Sequence, residues 1–569
     1  MKFSIVTAAL AAVILTAGCE QQQPAPKAEA PTPVAAVEDK PAIAAVPDTE
    51  VHTLGMGQHL QRHSTLAQIN KENAKKLVPV WSYSLADRRG QESQPLVIDG
   101  VMYVTTHKST VALNPVTGRQ IWKHEIDYPP QTPRIVCCGI VNRGAAVQGN
   151  KLFRTTLDAH VIALDLATGK EVWRKEAINF KAGYSMTVAP LIANGVVITG
   201  ISGGEYGTRG FIDGWDPETG EHLWRRYTTA AKDEPGGDTW PGDTAMAGGG
   251  PTWLTGSYDA DLDLVYWGTG NGGPWNAEFR KGDNLFITSV LAMRPKTGEI
   301  VWYYQFSPND PYDYDGVNEL VIADLDVDGK PRKVIMQANR NGFFYVLDRE
   351  NGELLKANAF VRQNWADGID METGRPIDSA VTKRMREAGE KVEIWPSALG
   401  GKNWMPMSYD PDRKTVYANT LSIGWTYKPV QPSYRAGVFY MAVDWALVWP
   451  EGDRGFLKAI DPLTGETKWE VGAEIPNWAG TLNTAGGLVF TGAMTGEFQA
   501  FDSDTGDKLW EFQTGSGIIG QPITWSKDGR QYVTVASGIG GAYVLFSGDE
   551  RLASIPAGGS LWTFALMEE

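Results

Sequence analysis

Short apolar runs recur along this chain, and in each of them apolar residues alternate with others, as in GVMYVTTH, GVVITGIS and GGLVFTGA. A period of two places every second side chain on the same face of a β-strand. Many of the runs lead into a turn of the form Asp-Pro-x-Thr-Gly or a close variant. Glycine supplies the positive φ that a tight turn between two strands requires. The pattern therefore predicts β-hairpins along most of the chain.

One hairpin segment, typified by ALNPVTGRQIW, is repeated. Six copies carry a glycine four residues before a tryptophan, and these tryptophans are Trp122, Trp173, Trp224, Trp302, Trp469 and Trp510. A seventh copy, VLDRENGELLK, keeps Gly352 but has Lys356 at the tryptophan position. Repeated four-stranded units indicate a β-propeller. Seven copies, with MSYDPDRKTVYANT as one further unit, predict an all-β, eight-bladed propeller whose tryptophans wedge between blades and donate their indole N–H to turn carbonyls.

Composition narrows the function classes. The chain has 569 residues, of which 42% are hydrophobic and 21% charged, and a formal net charge of −15. An acidic chain lacks the basic surface that nucleic acid requires, so we expect no nucleic-acid partner. Propellers carry unrelated functions, and the fold alone therefore does not specify an activity.

The N-terminal segment predicts export. One lysine precedes an apolar run that is too short to span a membrane, which indicates a signal peptide over residues 1–18. LTAGC resembles a bacterial lipobox with Cys19 as the lipidated residue, but Thr16 stands where an aliphatic residue is usual, so ordinary cleavage is the alternative. Residues 19–50 predict a disordered Pro/Ala-rich tether, and residues 51–569 the propeller. We expect a periplasmic protein, attached to a membrane only if Cys19 carries lipid; its oligomeric state stays open.

The other two cysteines, Cys137 and Cys138, are adjacent. In an oxidising compartment we expect them to close into a vicinal disulfide; two reduced, buried thiols are the alternative. No Cys-x-x-Cys-His motif occurs, so the sequence predicts no covalently attached c-type haem.

The segment NDPYDYDGVNE, residues 309–319, concentrates carboxylates. If the preceding strand continues this far, Asp313 and Asp315 point to the same side, where two like charges raise each other's pKa unless a cation lies between them. The alternative is a solvated, Asp-rich turn. For Asp310 we predict turn chemistry and no role in the site.

Several motifs occur in order: RIVCCGIVNRG, GGEYGTRGFI, YWGTGN and ANRNGFFYVLDR. Together with the repeats they resemble the pyrroloquinoline quinone (PQQ)-dependent alcohol dehydrogenases, from about residue 53 to the C-terminus. The resemblance implies an eight-bladed propeller that oxidises alcohols in the bacterial periplasm with PQQ beside a metal ion. It assigns cofactor contacts to Glu92, Cys137, Cys138, Arg143, Thr187, Ser202, Trp253, Arg340, Asn403 and Trp404.

The resemblance also implies roles for these residues. The Cys137–Cys138 disulfide lies over one face of the quinone and Trp253 stacks on the other. Arg143, Thr187 and Ser202 face the carboxylates of the cofactor. Arg340 hydrogen-bonds the reactive quinone oxygens and stabilises the reduced, anionic form; an arginine paired with a strand carboxylate is the alternative.

For the metal ion, the resemblance implies Glu205, Asn271 and Asp313 as ligands, and Asp313 also as the catalytic base. Oxygen-only ligation selects a hard cation, which is Ca²⁺ in most of the family. Calcium-type members usually have a small, uncharged residue two positions after the catalytic aspartate, whereas Asp315 stands there in this chain and resembles the lanthanide-dependent branch. A third carboxylate favours a trivalent ion, so we expect a lanthanide. In the alternative, Asp315 turns away to cap a backbone amide.

Two other functions compete with a lanthanide enzyme. One is a calcium-dependent version of it, and the other is a non-catalytic propeller lipoprotein of the outer-membrane assembly type. For the enzyme, the absence of a haem motif in the sequence implies a separate cytochrome c, or another periplasmic protein, as electron acceptor. The aromatic-rich residues 420–455 could form a lid that admits alcohols larger than methanol, or a packing or docking loop.

Overall fold

Four-stranded antiparallel sheets make up most of the computed structural model, which describes residues 49–568. Within those residues there are seven such sheets and one sheet of the same kind that gains a fifth, parallel strand; we call these eight sheets blades 1 to 8. The strands of blades 1 to 4 are Leu96–Ile98, Val101–Thr105, Ser109–Leu113 and Gln120–Glu125; Ala146–Gln148, Lys151–Thr155, His160–Asp165 and Glu171–Glu176; Leu191–Ala193, Val196–Gly200, Phe211–Trp215 and His222–Tyr227; and Ser257–Asp259, Leu264–Gly268, Ser289–Met293 and Ile300–Gln305. The predicted signal peptide, Cys19 and most of the tether lie outside the described residues.

Blades 5 to 8 follow in the second half of the chain, and blade 8 also takes one strand from its beginning. Their strands are Val321–Val327, Lys330–Ala338, Phe343–Asp348 and Leu354–Ala359 in blade 5; Ser408–Asp410, Thr415–Leu421, Gly455–Ile460 and Thr467–Ala473 in blade 6; Leu482–Thr484, Leu488–Gly492, Glu497–Asp502 and Lys508–Gln513 in blade 7; and Ile523–Lys527, Arg530–Ser537, Ser560–Leu566 and Leu77–Ser84 in blade 8. The short strand His63–Ser64 adds to blade 7 in parallel with Leu482–Thr484.

The prediction that MSYDPDRKTVYANT forms a blade of its own is wrong. This segment supplies the first two strands of blade 6, and a long excursion separates them from the repeat copy that ends at Trp469. The eighth blade instead joins the two ends of the described chain: Leu77–Ser84 pairs with Ser560–Leu566. The blade number is thus as predicted, but the ring closes through a pairing that carries no repeat signature.

The repeat tryptophans connect consecutive blades, as predicted. Their indole N–H groups donate across the interface to a carbonyl oxygen at 3.0–3.2 Å in five of the six copies, from Trp122 to Leu166, Trp173 to Pro217, Trp224 to Pro295, Trp469 to Ser503 and Trp510 to Leu77. Trp302 is the exception, because its indole N–H has no acceptor among the described residues. Trp81 lies outside the repeat copies but acts in the same way. Its indole N–H joins blade 8 to blade 1 by donating to the carbonyl oxygen of Pro115 at 2.8 Å.

Blade 5 lacks the repeat tryptophan, and an asparagine in the same strand makes the contact with blade 6 instead. Asn358 Nδ2 donates to the carbonyl oxygen of Leu463 at 3.1 Å. A Cβ atom added to Gly465 would lie 2.5 Å from the Asn358 Cβ, so the glycine lets the two blades approach closely. Blades 5 and 6 therefore stay in contact although the repeat tryptophan is missing between them.

Few helices interrupt the strands. The two α-helices are Ala380–Ala388 and Gly541–Phe546; the 3-10 turns are Leu54–Met56, Ala74–Lys76, Thr132–Arg134, Phe180–Ala182, Gly204–Tyr206, Gly237–Thr239, Thr244–Ala247, Ala277–Arg280 and Glu550–Ser554. Two small sheets lie outside the blades, Ala366–Ile369 with Pro376–Asp378, and Val392–Ile394 with Gly424–Pro429 and Val443–Val448. Among residues 49–568, no helix has the length and apolar character needed to cross a bilayer.

Candidate active site

Segments that connect the blades converge on one large cavity. The volume that the centre of a water molecule can occupy is about 120 Å³. The whole empty volume, including the open mouth of the cavity, is about 1050 Å³. The predicted site residues that line it are Glu92, Cys137, Cys138, Arg143, Thr187, Ser202, Glu205, Trp253, Asp313, Asp315, Arg340, Asn403 and Trp404. Residues scattered over more than 300 positions of sequence therefore share one wall, as the resemblance predicted.

The adjacent cysteines form the predicted disulfide. Its sulfur atoms and a carboxylate oxygen of Glu205 lie within 4.8 Å of one another. Trp253 borders the same cavity and donates its indole N–H to Asp315 Oδ2 at 2.9 Å. This hydrogen bond fixes the orientation of the indole ring in the cavity wall.

Asp313 and Asp315 reach the cavity from a loop and not from a strand. The strand Ile300–Gln305 ends well before them, and Asp313 has a φ of 64°. The intervening tyrosines bury their rings instead: Tyr312 meets Thr382 Oγ1 at 3.0 Å, and Tyr314 donates its hydroxyl to the Pro396 carbonyl at 2.6 Å. Because the two tyrosines are anchored in the core, both aspartates turn toward the cavity. The prediction that the strand continues this far is wrong, but the prediction that Asp313 and Asp315 face the same place is confirmed.

Asp310 organises this loop, as the turn reading predicted. Its carboxylate accepts the backbone N–H groups of Tyr312 at 3.2 Å and Tyr314 at 3.0 Å. Burial raises the pKa of Asp310 to about 6 although Arg280 opposes the shift. Arg280 also donates to the main-chain oxygen of Asp310.

Three acidic side chains surround one arginine. Arg340 Nη1 lies 2.9 Å from Asp313 Oδ2 and 3.3 Å from Asp315 Oδ2. Burial raises the pKa of Glu205 to about 7, with a further contribution from the charge of Asp315. Burial also raises the pKa of Asp313 and of Asp315, while Arg340 opposes both shifts. One guanidinium cannot balance three carboxylates, so the site has an excess of negative charge.

Asn271 lies behind the cavity wall. Its backbone N–H donates to Asp315 Oδ1 at 2.5 Å, while its side-chain Oδ1 is buried without a hydrogen-bond donor among the described residues. Asp313 Oδ1 is a second buried oxygen without such a donor. Unpartnered oxygens beside excess carboxylate charge are what a hard cation requires, and the residues therefore fit an oxygen-ligated metal ion. Asp315 caps one backbone amide, as the alternative stated, but still faces the cavity.

A cationic and hydroxylic wall stands beside this acidic group. Arg143 donates to Thr187 Oγ1 at 2.6 Å, and Thr187 Oγ1 lies 3.4 Å from Ser202 Oγ. Glu92 pairs with Arg143 at 2.8 Å, and burial raises the pKa of Glu92 to about 7 against the effect of Arg143. A flat ligand with several carboxylates fits these donors, and Glu92 reaches it through Arg143.

Asn403 and Trp404 have different surroundings. The Asn403 side chain is engaged within its own loop, donating to the Leu399 carbonyl at 2.9 Å and accepting the Trp404 backbone N–H at 2.8 Å. The indole ring of Trp404 lies 5.4 Å from the guanidinium carbon of Arg143. Trp404 thus supports Arg143, and Asn403 holds the loop that carries Trp404.

The sequence predicted only part of the apolar side of the cavity. Residues 420–455, which include the long connection between the second and third strands of blade 6, line part of this side, as a lid over the cavity requires. The additional apolar side chains are Trp275, Leu399, Trp425, Phe439, Met441, Trp445, Leu447, Ala542 and Phe546. Trp275 was not predicted, although its place close after the predicted ligand Asn271 in GNGGPWN could have indicated that it lines the site. No local sequence signal places Ala542 and Phe546 of the helix Gly541–Phe546 at the cavity.

Comparison with known proteins agrees with this geometry. Residues 52–357 and 448–533 match the family described as glucose/ethanol/alcohol dehydrogenase, beta-propeller domain, of PQQ enzymes. The chain is 42% identical over 547 residues to the quinoprotein alcohol dehydrogenase PedH of Pseudomonas putida, covering 91% of each chain. It is 40% identical to the lanthanide-dependent methanol dehydrogenase of Methylacidiphilum fumariolicum over 509 residues, covering 84% of this chain and 83% of the relative.

A solved structure shows the same similarity in three dimensions. A europium-containing methanol dehydrogenase superposes with a TM-score of 0.87 at 36% identity, covering 91% of this chain and 98% of that one. The non-catalytic propeller alternative is thereby excluded, since the relatives that match most of this chain are quinoprotein alcohol dehydrogenases. The chain belongs to the PQQ-dependent, or quinoprotein, alcohol dehydrogenase family.

Proposed function

We propose that this enzyme oxidises primary alcohols, including alcohols larger than methanol, to aldehydes in the periplasm, using PQQ and a lanthanide ion. The observation that carries the proposal is the group of Glu205, Asp313 and Asp315 around the single cation Arg340, in the same cavity as the disulfide. PQQ, when bound there, would accept the two electrons that leave the alcohol carbon as one hydride equivalent, while the hydroxyl proton would go to a base of the protein.

The metal preference rests on Asp315. Glu205, Asn271, Asp313 and Asp315 would hold the ion through oxygen atoms, and three of the four are anionic. A trivalent ion balances that charge better than Ca²⁺ does, which favours a lanthanide. The relatives named as lanthanide-dependent and europium-containing support the same preference. A calcium-dependent enzyme is the alternative.

Asp313 is the proposed general base. Arg340 donates to its Oδ2, whereas its Oδ1 has no hydrogen-bond donor among the described residues. A carboxylate oxygen has two lone pairs, so Oδ1 could hold the metal ion with one of them and take up the alcohol proton with the other. Burial raises the pKa of Asp313, and a base with a raised pKa takes up a proton more readily. Arg340 also donates to the main-chain oxygen of Asp313 at 2.8 Å, which holds the base in position.

The substrate class follows from the apolar wall. Phe439 stacks on Tyr206 with ring centroids 4.8 Å apart, and the Tyr440 N–H donates to the Glu205 carbonyl at 2.6 Å. The lid is thus joined directly to the acidic group. Aromatic and aliphatic side chains beside the reacting atoms favour an alcohol with an apolar substituent.

The location and the electron acceptor are inferred from sequence features. The signal-like N-terminus and the disulfide support the periplasm, with Cys19 as a candidate lipid attachment point. The three cysteines form no c-type haem motif, so a separate cytochrome c is the proposed acceptor. Spheroplast fractionation of cells that express the full chain, with labelling by radioactive palmitate, tests the location and the lipid.

The activity is tested by reconstitution. PQQ-free protein receives PQQ and La³⁺, and oxidation of methanol, 1-butanol and 2-phenylethanol is followed with an artificial electron acceptor. We expect activity with all three alcohols and a higher kcat/KM for the two larger ones. Protein that binds PQQ but prefers methanol would contradict the substrate class, and protein that neither binds PQQ nor oxidises an alcohol would contradict the proposal.

A further inference from the structure

A second, smaller cavity lies behind the wall that Arg143 and Trp404 contribute to the active site. It offers about 20 Å³ to the centre of a water molecule, and Arg62, Thr255, Glu319 and Gln521 also border it. Roughly 10–15 Å³ suffices for one water, so the space admits one small ion or one or two waters. Neither the proposed reaction nor the cofactor contacts require this cavity.

Three unpartnered donors belong to side chains of this cavity. Arg62 Nε, Arg143 Nε and Trp404 Nε1 are buried, and none of them meets an acceptor among the described residues. The three side chains are 3%, 8% and 2% exposed. Buried donors in native proteins almost always have a partner. Arg143 and Trp404 also border the active-site cavity, whereas Arg62 borders the second cavity alone, so Arg62 Nε is the donor that indicates an acceptor there.

The amide and carboxylate oxygens around the cavity already accept hydrogen bonds, whereas Thr255 Oγ1 donates one, to the Ala189 carbonyl at 2.7 Å. Gln521 Oε1 accepts from Arg62 Nη2 at 2.9 Å. The two Glu319 oxygens accept from Lys402 Nζ and from the Met407 N–H, each at 2.7 Å. A water molecule in the cavity would add two O–H donors that themselves need acceptors. A small inorganic anion would only accept hydrogen bonds.

The charges favour an anion as well. Arg143 is paired with Glu92 at 2.8 Å and Lys402 with Glu319 at 2.7 Å, but Arg62 has no ion pair within the described part of the chain. Two neutralised pairs and one unpaired guanidinium leave one positive charge. Burying such a charge is costly unless an opposite charge accompanies it.

Arg154 provides an internal contrast. It is also fully buried without an ion pair in the described residues, but carbonyl and hydroxyl oxygens at 2.7–3.4 Å accept from all three of its guanidinium nitrogens. Arg154 shows how this fold satisfies a buried arginine without a ligand. In Arg62 two of the three guanidinium nitrogens have acceptors, the Leu60 carbonyl at 3.4 Å and Gln521 Oε1 at 2.9 Å, and Nε has none among the described residues.

We infer that the second cavity binds one small monovalent inorganic anion, such as chloride, through Arg62, Arg143 and Trp404. Because Arg143 and Trp404 border both cavities, the anion also stiffens part of the active-site wall. The site requires neither PQQ nor a metal ion, so its test is independent of the proposed function.

The direct test uses crystals of the PQQ-loaded protein soaked in sodium bromide, with diffraction recorded at the bromine absorption edge. We expect an anomalous peak in the cavity, within hydrogen-bonding distance of Arg62 Nε, Arg143 Nε and Trp404 Nε1. Absence of this peak while surface bromides are visible would overturn the inference. A peak found only without PQQ would assign the cavity to a carboxylate of the cofactor, and would also overturn it.

A solution measurement supplements the crystals. The Tm is compared in sodium chloride and sodium gluconate at equal ionic strength for the wild type, Arg62→Met and Arg154→Met. We expect a saturable, chloride-specific rise of Tm in the wild type and in Arg154→Met, and none in Arg62→Met. The same chloride response in all three proteins, or one that appears only at molar salt, would contradict the site. The bromide result on the wild type decides the question if Arg62→Met does not fold.

Discussion

Arg340 Nη1 contacts Asp313 Oδ2 at 2.9 Å and Asp315 Oδ2 at 3.3 Å, so a single nitrogen atom joins the proposed base to the carboxylate that distinguishes this site. Trp253 and the backbone of Asn271 hold Asp315 from other directions. The two aspartates are therefore positioned by the protein, and Arg340 links the base to the metal site.

Arg340→Gln removes this shared cation. We expect kcat to fall by about 100-fold or more, since removing one preorganised charge or donor from a transition state typically costs that much. Stopped-flow measurement of alcohol oxidation by protein loaded with PQQ and metal gives kcat per bound cofactor. Arg349→Gln is the matched control, because Arg349 is also buried between two aspartates, Asp259 and Asp324, but lies outside the cavity wall. An Arg340→Gln enzyme with unchanged kcat would contradict the role.

Phe439→Ala shortens the lid side chain that stacks on Tyr206. We expect kcat/KM for 2-phenylethanol to fall by about 10-fold relative to methanol, since apolar contacts discriminate by roughly 1–3 kcal/mol. Tyr434→Ala on the same loop is the control, because Tyr434 is 53% exposed and does not line the cavity. Equal losses for both alcohols would show that Phe439 does not contribute to substrate selection.

Trp224→Phe and Trp302→Phe separate the two functions of the repeat tryptophans. Both side chains are 9% exposed, but within residues 49–568 only Trp224 has an acceptor, the Pro295 carbonyl at 3.0 Å. The Trp224 variant loses a hydrogen bond, whereas the Trp302 variant loses an unpartnered N–H group. We expect the free energy of unfolding to fall by about 1 kcal/mol more in Trp224→Phe. Urea unfolding followed by circular dichroism measures this, and equal losses would contradict the assignment.

Asp549 anchors the C-terminal segment beside the cavity through Arg454 at 2.7 Å, Arg551 at 2.7 Å and the Tyr543 hydroxyl at 3.1 Å. Hydrogen bonding from Arg551 lowers the pKa of Asp549 to about 2. A folded-state pKa below the unfolded value stabilises the protein above about pH 4, and this contribution is lost as the pH falls toward 2.

We expect Asp549→Asn to be less stable than the wild type by about 1 kcal/mol near pH 6, a value reduced for solvent screening. The difference should shrink as the pH falls from 4 to 2, which urea unfolding at each pH measures. A difference that does not depend on pH would show that Asp549 acts through packing alone.

Local chemistry made the blades predictable. Each repeat copy carries its own turn glycine and most carry the tryptophan, so seven blades can be located from short segments. The eighth could not, because it depends on the pairing of Leu77–Ser84 with Ser560–Leu566, which are almost a full chain length apart. The excursion between Leu421 and Gly455 similarly separated MSYDPDRKTVYANT from the rest of its blade.

The polar side of the site could be predicted because its residues stand in recognisable motifs. The apolar side could not, because Ala542 and Phe546 lie on a short helix whose position depends on long-range packing. The aspartate pair shows an intermediate case. Its convergence was correctly predicted, but it results from the buried rings of Tyr312 and Tyr314 and not from strand alternation.

The most direct test of the metal assignment compares La³⁺ with Ca²⁺ in PQQ-reconstituted protein, for the wild type, Asp315→Ala and the control Asp213→Asn, which changes a buried, arginine-paired aspartate outside the cavity wall. We expect alcohol oxidation by the wild type with La³⁺ and little with Ca²⁺, loss of the La³⁺-dependent activity in Asp315→Ala, and its retention in Asp213→Asn. Equal or greater activity of the wild type with Ca²⁺ would contradict the lanthanide assignment and identify a calcium enzyme.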